Sequence, residues 1–233
     1  MARSRRISAG GVVYHVLNRA NARLSIFSDD ADYAAFEKVL GEAVQRSDMR
    51  LLPYILMPNH WYLVLWPRRD GRLSAFVRWL TLTHAQRWHA FRDSAGSGHL
   101  YQGRFKSFPV QEDQHLRVLC RYVERNALRA ALVRRAEDWR WCSLWQRRSG
   151  DATSRQILSN WPTDPGPDWL SHVNEPRTDA ELDAVRTCIA HGRPLGASPW
   201  QQTIARRLNL QSTLLPRGRP KNTRSKATIR NRS

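Results

Sequence analysis

The chain has 233 residues, enough for one domain with a smaller appendage, and 41% of them are hydrophobic, ten being Trp, so it can build a packed core. Its 38 Lys and Arg against 20 Asp and Glu leave a formal charge of +18, which points to a polyanionic partner, nucleic acid before an anionic membrane surface. No run approaches the roughly 20 apolar residues of a spanning helix, no apolar signal run follows the basic stretch Met1 to Ser8, and Cys120, Cys142 and Cys188 form no CxxC pair, which argues against a disulfide framework or a zinc ribbon. The expectation is a cytoplasmic protein with buried, reduced thiols and no membrane partner.

Charge divides the chain. Residues 151–199 are rich in Pro and Asp and read as a connector, acidic on balance. Residues 201–233 hold nine bases and no acid, so 200–233 reads as a basic DNA-binding tail. Most of the remaining positive charge lies on residues 1–150, the body.

In the body, Gly11 to Arg19 (Val12, Val13, Tyr14, His15, Val16, Leu17) reads as a first strand. Asp29 or Asp30 caps a helix with Phe36, Val39, Leu40, Ala43 and Val44 on one face. Arg50 to Met57 is β-like, Pro58-Asn59 turns the chain, and a strand follows from His60 to Trp66. A long helix starts near Ser74 with Phe76, Val77, Leu80, His84, Arg87, Trp88 and Phe91 in register. Phe105 to Val110 is a fourth strand, and Glu112 or Asp113 starts a helix carrying Leu116, Leu119, Cys120 and Val123. The order β-α-β-β-α-β-α predicts an α+β fold: a ferredoxin-like split βαβ antiparallel sheet with helices on one face, plus the C-terminal basic extension.

Two segments carry chemistry. In Met57-Pro58-Asn59-His60-Trp61-Tyr62-Leu63-Val64-Leu65-Trp66, strand alternation puts His60, Tyr62 and Val64 on one face. In Arg121-Tyr122-Val123-Glu124-Arg125-Asn126-Ala127-Leu128-Arg129-Ala130, helical spacing puts Asn126 one turn after Tyr122, with Arg129 and His115 in the same stripe.

At these segments, at Tyr101-Gln102-Gly103-Arg104-Phe105-Lys106-Ser107, at Gly192-Arg193-Pro194 and at Arg217-Gly218-Arg219-Pro220-Lys221, the chain resembles the REP-associated tyrosine transposases. These are domesticated relatives of the insertion-sequence transposases that move single-stranded DNA, within the HUH endonuclease superfamily. The resemblance covers most of residues 7–150. It implies a transposase and endonuclease that cleaves and rejoins hairpin-forming palindromic DNA through a 5′-phosphotyrosine intermediate, acting as a monomer or homodimer. It makes Tyr122 the nucleophile, and His60 and Asn126 ligands of a divalent metal, Mg²⁺ or Mn²⁺. Residue chemistry fits: a phenol of pKa about 10 needs activation near neutral pH, and a hard cation supplies Lewis acidity with few protein ligands.

One departure matters. Tyr62 stands where the family has its second His, and a neutral phenol is a poor ligand for Mg²⁺ or Mn²⁺. Three outcomes are open: Asn126, waters and DNA suffice at reduced affinity; another histidine such as His115 stands in; or cleavage is lost and the chain is a hairpin-binding protein on the same fold. Ala127, where the family commonly has Pro, lets the helix run past Asn126. Arg104 and Lys106 on the fourth strand and Arg129 beside the nucleophile are candidate phosphate contacts. In the tail, Arg217, Arg219 and Lys221 resemble an AT-hook core that would enter a narrow minor groove, or form a plain basic tail. An RNA-binding module on the same layout is the remaining class, but no RNP-type aromatic pattern marks the strands.

Overall fold

The computed structural model describes residues 8–176 and 178–215. Strand β1 (Val13–Arg19) is followed by helix α1 (Asp30–Gln45), strands β2 (Met49–Met57) and β3 (His60–Pro67), helix α2 (Arg72–Phe91), strand β4 (Lys106–Val110) and helix α3 (Gln114–Glu124). The four strands form one antiparallel sheet in the order β2-β3-β1-β4, which is the ferredoxin-like arrangement. The predicted caps form: Asp29 accepts from the Asp32 amide at the start of α1, and Asp113 from the His115 amide at the start of α3. The β2–β3 register shifts between Leu51 and Tyr54 because Pro53 has no amide to donate and the Tyr54 amide turns instead to Ser143 Oγ, 3.1 Å away.

Alternation sorts β3 cleanly. Trp61, Leu63 and Leu65 enter a core with Phe36, Val39 and Leu40 of α1 and Phe76, Val77 and Leu80 of α2. Tyr62 and Val64 enter a second core with Leu116, Leu119, Cys120 and Val123 of α3. The opposite face of the sheet is therefore buried too, and the helices-on-one-face layout of the ferredoxin-like unit accounts only for α1 and α2. The expected reduced cysteines Cys120, Cys142 and Cys188 are all buried.

The second layer is built largely by the chain beyond α3. A short helix α4 (Asn126–Arg129) continues α3, and α5 (Ser143–Ser149), α6 (Ala152–Gln156), α7 (Trp169–Asn174), α8 (Asp179–His191) and α9 (Ser198–Arg207) follow. Trp169 and Val173 of α7, Val185 and Cys188 of α8, and Leu195 belong to the second core; Ile204 and Leu208 belong to the first. Residues 151–215, which composition marks as connector and start of the tail, thus pack into both cores. With Trp141, they also cover the sheet edges. Ser159 N donates to Leu51 O and Leu56 N to Trp141 O along β2, while Leu195 N donates to Pro109 O and Gln111 N to Leu195 O beside β4. Among the described residues, no helix is long and apolar enough to cross a membrane.

Candidate nucleic-acid phosphoryl-transfer site

The site forms where the His60 end of β3 meets α3. In the sheet, His60 lies opposite Arg19, and Tyr62 opposite Leu17, which in turn faces Lys106. Directly paired residues share a face, so His60, Tyr62, Arg19 and Lys106 all belong to the α3 side. The apolar stripe of α3 packs on that side and brings Tyr122, 4% exposed, over the strand. The Tyr62 and Tyr122 ring centres are 6.0 Å apart, edge to face, and a side-chain hydrogen bond joins the two residues. The His60 ring is 5.0 Å from that of Tyr62, also edge-on. His60, Tyr62 and Tyr122 therefore form a continuous row, as strand alternation requires.

Asn126 sits one turn beyond Tyr122 and is buried. Its Oδ1 accepts from Arg129 Nη2 at 3.1 Å, and its buried Nδ2 has no hydrogen-bond partner. The Arg129 guanidinium carbon lies 5.6 Å from the centre of the Tyr122 ring. The charges of Arg19 and Arg129 both act on His60 and on Tyr62.

These surroundings set the protonation states. Burial, then Arg19 and Arg129, pull the His60 imidazole down to about 4, so it is neutral at neutral pH. Its Nδ1 is 2.6 Å from Asn59 Oδ1, an acceptor, so Nδ1 carries the proton and Nε2 keeps its lone pair. Burial, then the charge of Tyr122 and its hydrogen bond, raise the Tyr62 phenol well above the ordinary tyrosine value.

The other expected residues divide. His115 lies two turns before Tyr122 on α3, and its Nδ1 is 2.8 Å from Asp113 Oδ1. Lys106 opens β4, whereas Arg104 lies just outside the strand, in the preceding loop. Both line a cleft of about 370 Å³ together with Arg19, Asn18, Gln102 and Gly103. Arg217, Arg219 and Lys221 lie outside the described residues.

Several residues at the site escaped the sequence reading. Arg19 shows no motif of its own; only its register against His60 marks it. His15 is buried, with its ring 5.2 Å from Tyr62 and stacked on Phe108 at 4.8 Å; burial pulls its imidazole down to about 3. Arg121, Glu124 and Arg125 flank Tyr122 but point away from it. Arg121 Nη2 donates to the carbonyls of Glu175 and Pro176 at 2.9 and 3.1 Å, and Arg125 Nη1 donates to those of Val173 and Asn174, the unpaired carbonyl end of α7. Glu124, wholly buried, accepts from Ser143 Oγ at 2.6 Å and Trp169 Nε1 at 2.7 Å. The charges that the motif carries in addition to Tyr122 and Asn126 thus clamp α3 to the chain that follows it; their i, i+4 spacing, Arg121 to Arg125, was the available signal.

The divalent ion that the resemblance implies needs lone pairs. His60 Nε2 supplies one. Tyr62 is a protonated phenol, and the Asn126 oxygen already accepts from a cation. Among the described residues no group of three His, Cys, Asp or Glu comes together. The residues present do not fit a hard-cation site.

The site thus sets a helix-borne tyrosine against Tyr62, and Tyr62 against a neutral histidine at the start of a ferredoxin-like strand, with Arg19 and Arg129 beside them. The model of the IS200-like transposases matches residues 8–126, just over half of the chain, and the chain belongs to that family. Among solved structures it is similar to a REP-associated tyrosine transposase bound to a REP hairpin, at 16% identity and a TM-score of 0.52, over 70% of this chain and 94% of that one. This likeness supports the shared fold. A crystal structure of a candidate transposase from Deinococcus radiodurans R1 matches at 16% identity and a TM-score of 0.35, over 51% of this chain and 93% of that one. No curated protein matches.

Proposed function

We propose that this transposase cleaves and rejoins single-stranded DNA that carries a hairpin, with Tyr122 as the nucleophile. The observation that carries the reading is the row His60–Tyr62–Tyr122, a buried tyrosine hydrogen-bonded across the strand beside a neutral imidazole and two arginines. The hairpin follows from the neighbour of the same fold, which is bound to one. Tyr122 Oη forms a bond to phosphorus as the P–O3′ bond breaks. The phenolic proton leaves to a base, and the departing 3′ oxygen takes one up, giving a 5′-phosphotyrosine and a free 3′-OH. His60, neutral and with a lone pair on Nε2, can relay that proton to water, since an imidazole held at about 4 does not retain it. Arg19, Arg104 and Lys106 supply a basic track for the strand leading to the site. Arg217, Arg219 and Lys221 add non-specific affinity through the tail.

The test is incubation with a panel of single-stranded hairpin oligonucleotides in EDTA, Mg²⁺ or Mn²⁺, with denaturing gels to detect a protein–DNA adduct. The adduct is expected from the wild type and not from Tyr122→Phe; cleavage that survives Tyr122→Phe refutes the role of Tyr122. A second reading, hairpin binding without cleavage, is favoured by the phenol at position 62, and predicts retention of the oligonucleotides with no adduct under any of the three conditions.

A further inference from the structure

We propose that Arg19 and Arg129, with the Asn126 amide, grip the scissile phosphate in the place where a divalent ion would otherwise act, so that this site works without a metal. The inference rests on the reading of Tyr122 as the nucleophile.

The argument is one of donors against acceptors. A cation must be met by lone pairs, and a phosphate by N–H groups. The free lone pairs near Tyr122 among the described residues belong to neutral groups: His60 Nε2, the buried His15 Nε2 beside Tyr62, and the Tyr62 phenol. The Asn126 oxygen already accepts from Arg129 Nη2, which orients the amide so that its NH₂ is the free end. That NH₂ is buried and has no partner in the protein, and a phosphate oxygen is a partner of the right kind. A dication at the Asn126 oxygen would stand against the Arg129 guanidinium at hydrogen-bond range.

The two arginines suit the alternative. Arg19 enters from β1 opposite His60, and Arg129 from α4 with its guanidinium carbon 5.6 Å from the Tyr122 ring centre, so they flank the row from different elements. Both are exposed, and among the described residues neither is paired with a carboxylate. Two uncompensated guanidinium forks beside a buried tyrosine match the oxygens of a phosphodiester, which they can take in bidentate fashion and keep as charge develops. Tyr62 belongs to the same design. A second imidazole there would add a metal ligand; the phenol holds the Tyr122 side chain by a hydrogen bond instead.

Two measurements test this. In the first, adduct formation on the hairpin panel is followed for wild type, Arg129→Ala, Arg129→Lys and Arg19→Ala, in EDTA and in Mn²⁺. The expectation is that EDTA leaves the wild-type rate unchanged, that Arg129→Ala lowers it roughly 100-fold in both conditions, and that Arg129→Lys recovers part of it. In the second, Mn²⁺ alone is titrated into the free protein and followed by electron paramagnetic resonance. The wild type is expected to show no Mn²⁺ signal dependent on His60, and the double variant Tyr62→His, Arg129→Ala to gain one. Loss of the wild-type adduct in EDTA, an unaffected Arg129→Ala, or a wild-type Mn²⁺ site abolished by His60→Ala, overturns the proposal. A wild type that forms no adduct in any condition refutes the Tyr122 chemistry; the Mn²⁺ titration then still decides between an arginine site and a metal site.

Discussion

Glu124 is the most exacting place to perturb the molecule. It is wholly buried, two residues after Tyr122, and its carboxylate bonds Ser143 of α5 and Trp169 of α7. Burial raises its pKa, with Arg147, Ser143 and Trp169 opposing. Glu124→Ala leaves the Trp169 N–H and the Ser143 hydroxyl without their acceptor and opens a cavity. Unmaking one partner of such a buried network costs about 3–5 kcal/mol, and at about 2–4 °C per kcal/mol for a chain of this size the melting temperature falls by roughly 10 °C. Glu124→Gln keeps the shape and an acceptor oxygen but cannot ionise. Because the folded pKa lies above the unfolded one, the native carboxylate favours the fold most at low pH, and its contribution declines as pH rises from the unfolded value through the folded one. Gln removes that decline, so at pH 7.5 Glu124→Gln should lie within about 1 kcal/mol of wild type, and at pH 4 it should fall behind. Urea unfolding followed by tryptophan fluorescence at the two pH values measures both. An alanine variant within 1 kcal/mol of wild type, or a glutamine variant as unstable as the alanine one, would refute the reasoning.

Other outcomes follow from the same contacts. Tyr62→Phe removes one hydroxyl from a buried pair and should cost about 1 kcal/mol of stability, while slowing adduct formation on a hairpin oligonucleotide through the loss of the Tyr122 hydrogen bond. Arg125→Ala frees the carbonyl end of α7; limited proteolysis should then cut in residues 160–176 well before the wild type is cut. Ending the chain at Gly150 removes Trp169, Val173, Val185 and Leu195 from the second core; gel filtration should find aggregate rather than a stable smaller domain. His15 and His60 are both held below the ordinary histidine range. As pH falls below about 6.5 the unfolded chain binds protons there that the fold refuses, so stability declines toward pH 4. The urea midpoint of Glu124→Gln, in which the carboxylate's opposite trend is absent, should fall across that window.

What the sequence made legible was whatever repeats with a period. The alternation of β3 put His60, Tyr62 and Val64 on one face, and the stripe of α3 put Tyr122 over it. The order of elements was enough for the sheet topology. The second layer was not legible, because α5, α6 and α7 have seven, five and six residues, too few for a helical period to show, and their anchors include polar contacts such as Trp169 to Glu124. A Pro- and Asp-rich composition therefore read as a connector. Within the site, residue spacing correctly grouped Asn126 and Arg129 but could not say which way the amide faces. That orientation, fixed by one hydrogen bond from Arg129, separates a ligand for a cation from a donor for an anion.

The arginine clamp on α7 also bears on how two DNA ends could be joined. Arg121, Glu124 and Arg125 tie the helix that carries Tyr122 to three neighbouring segments of its own chain. Such a helix cannot swing out and carry a covalently held strand to another place without unmaking a buried carboxylate and four carbonyl contacts. On the proposed reading of Tyr122, rejoining is then expected to bring the incoming 3′ end to a phosphotyrosine that stays in place.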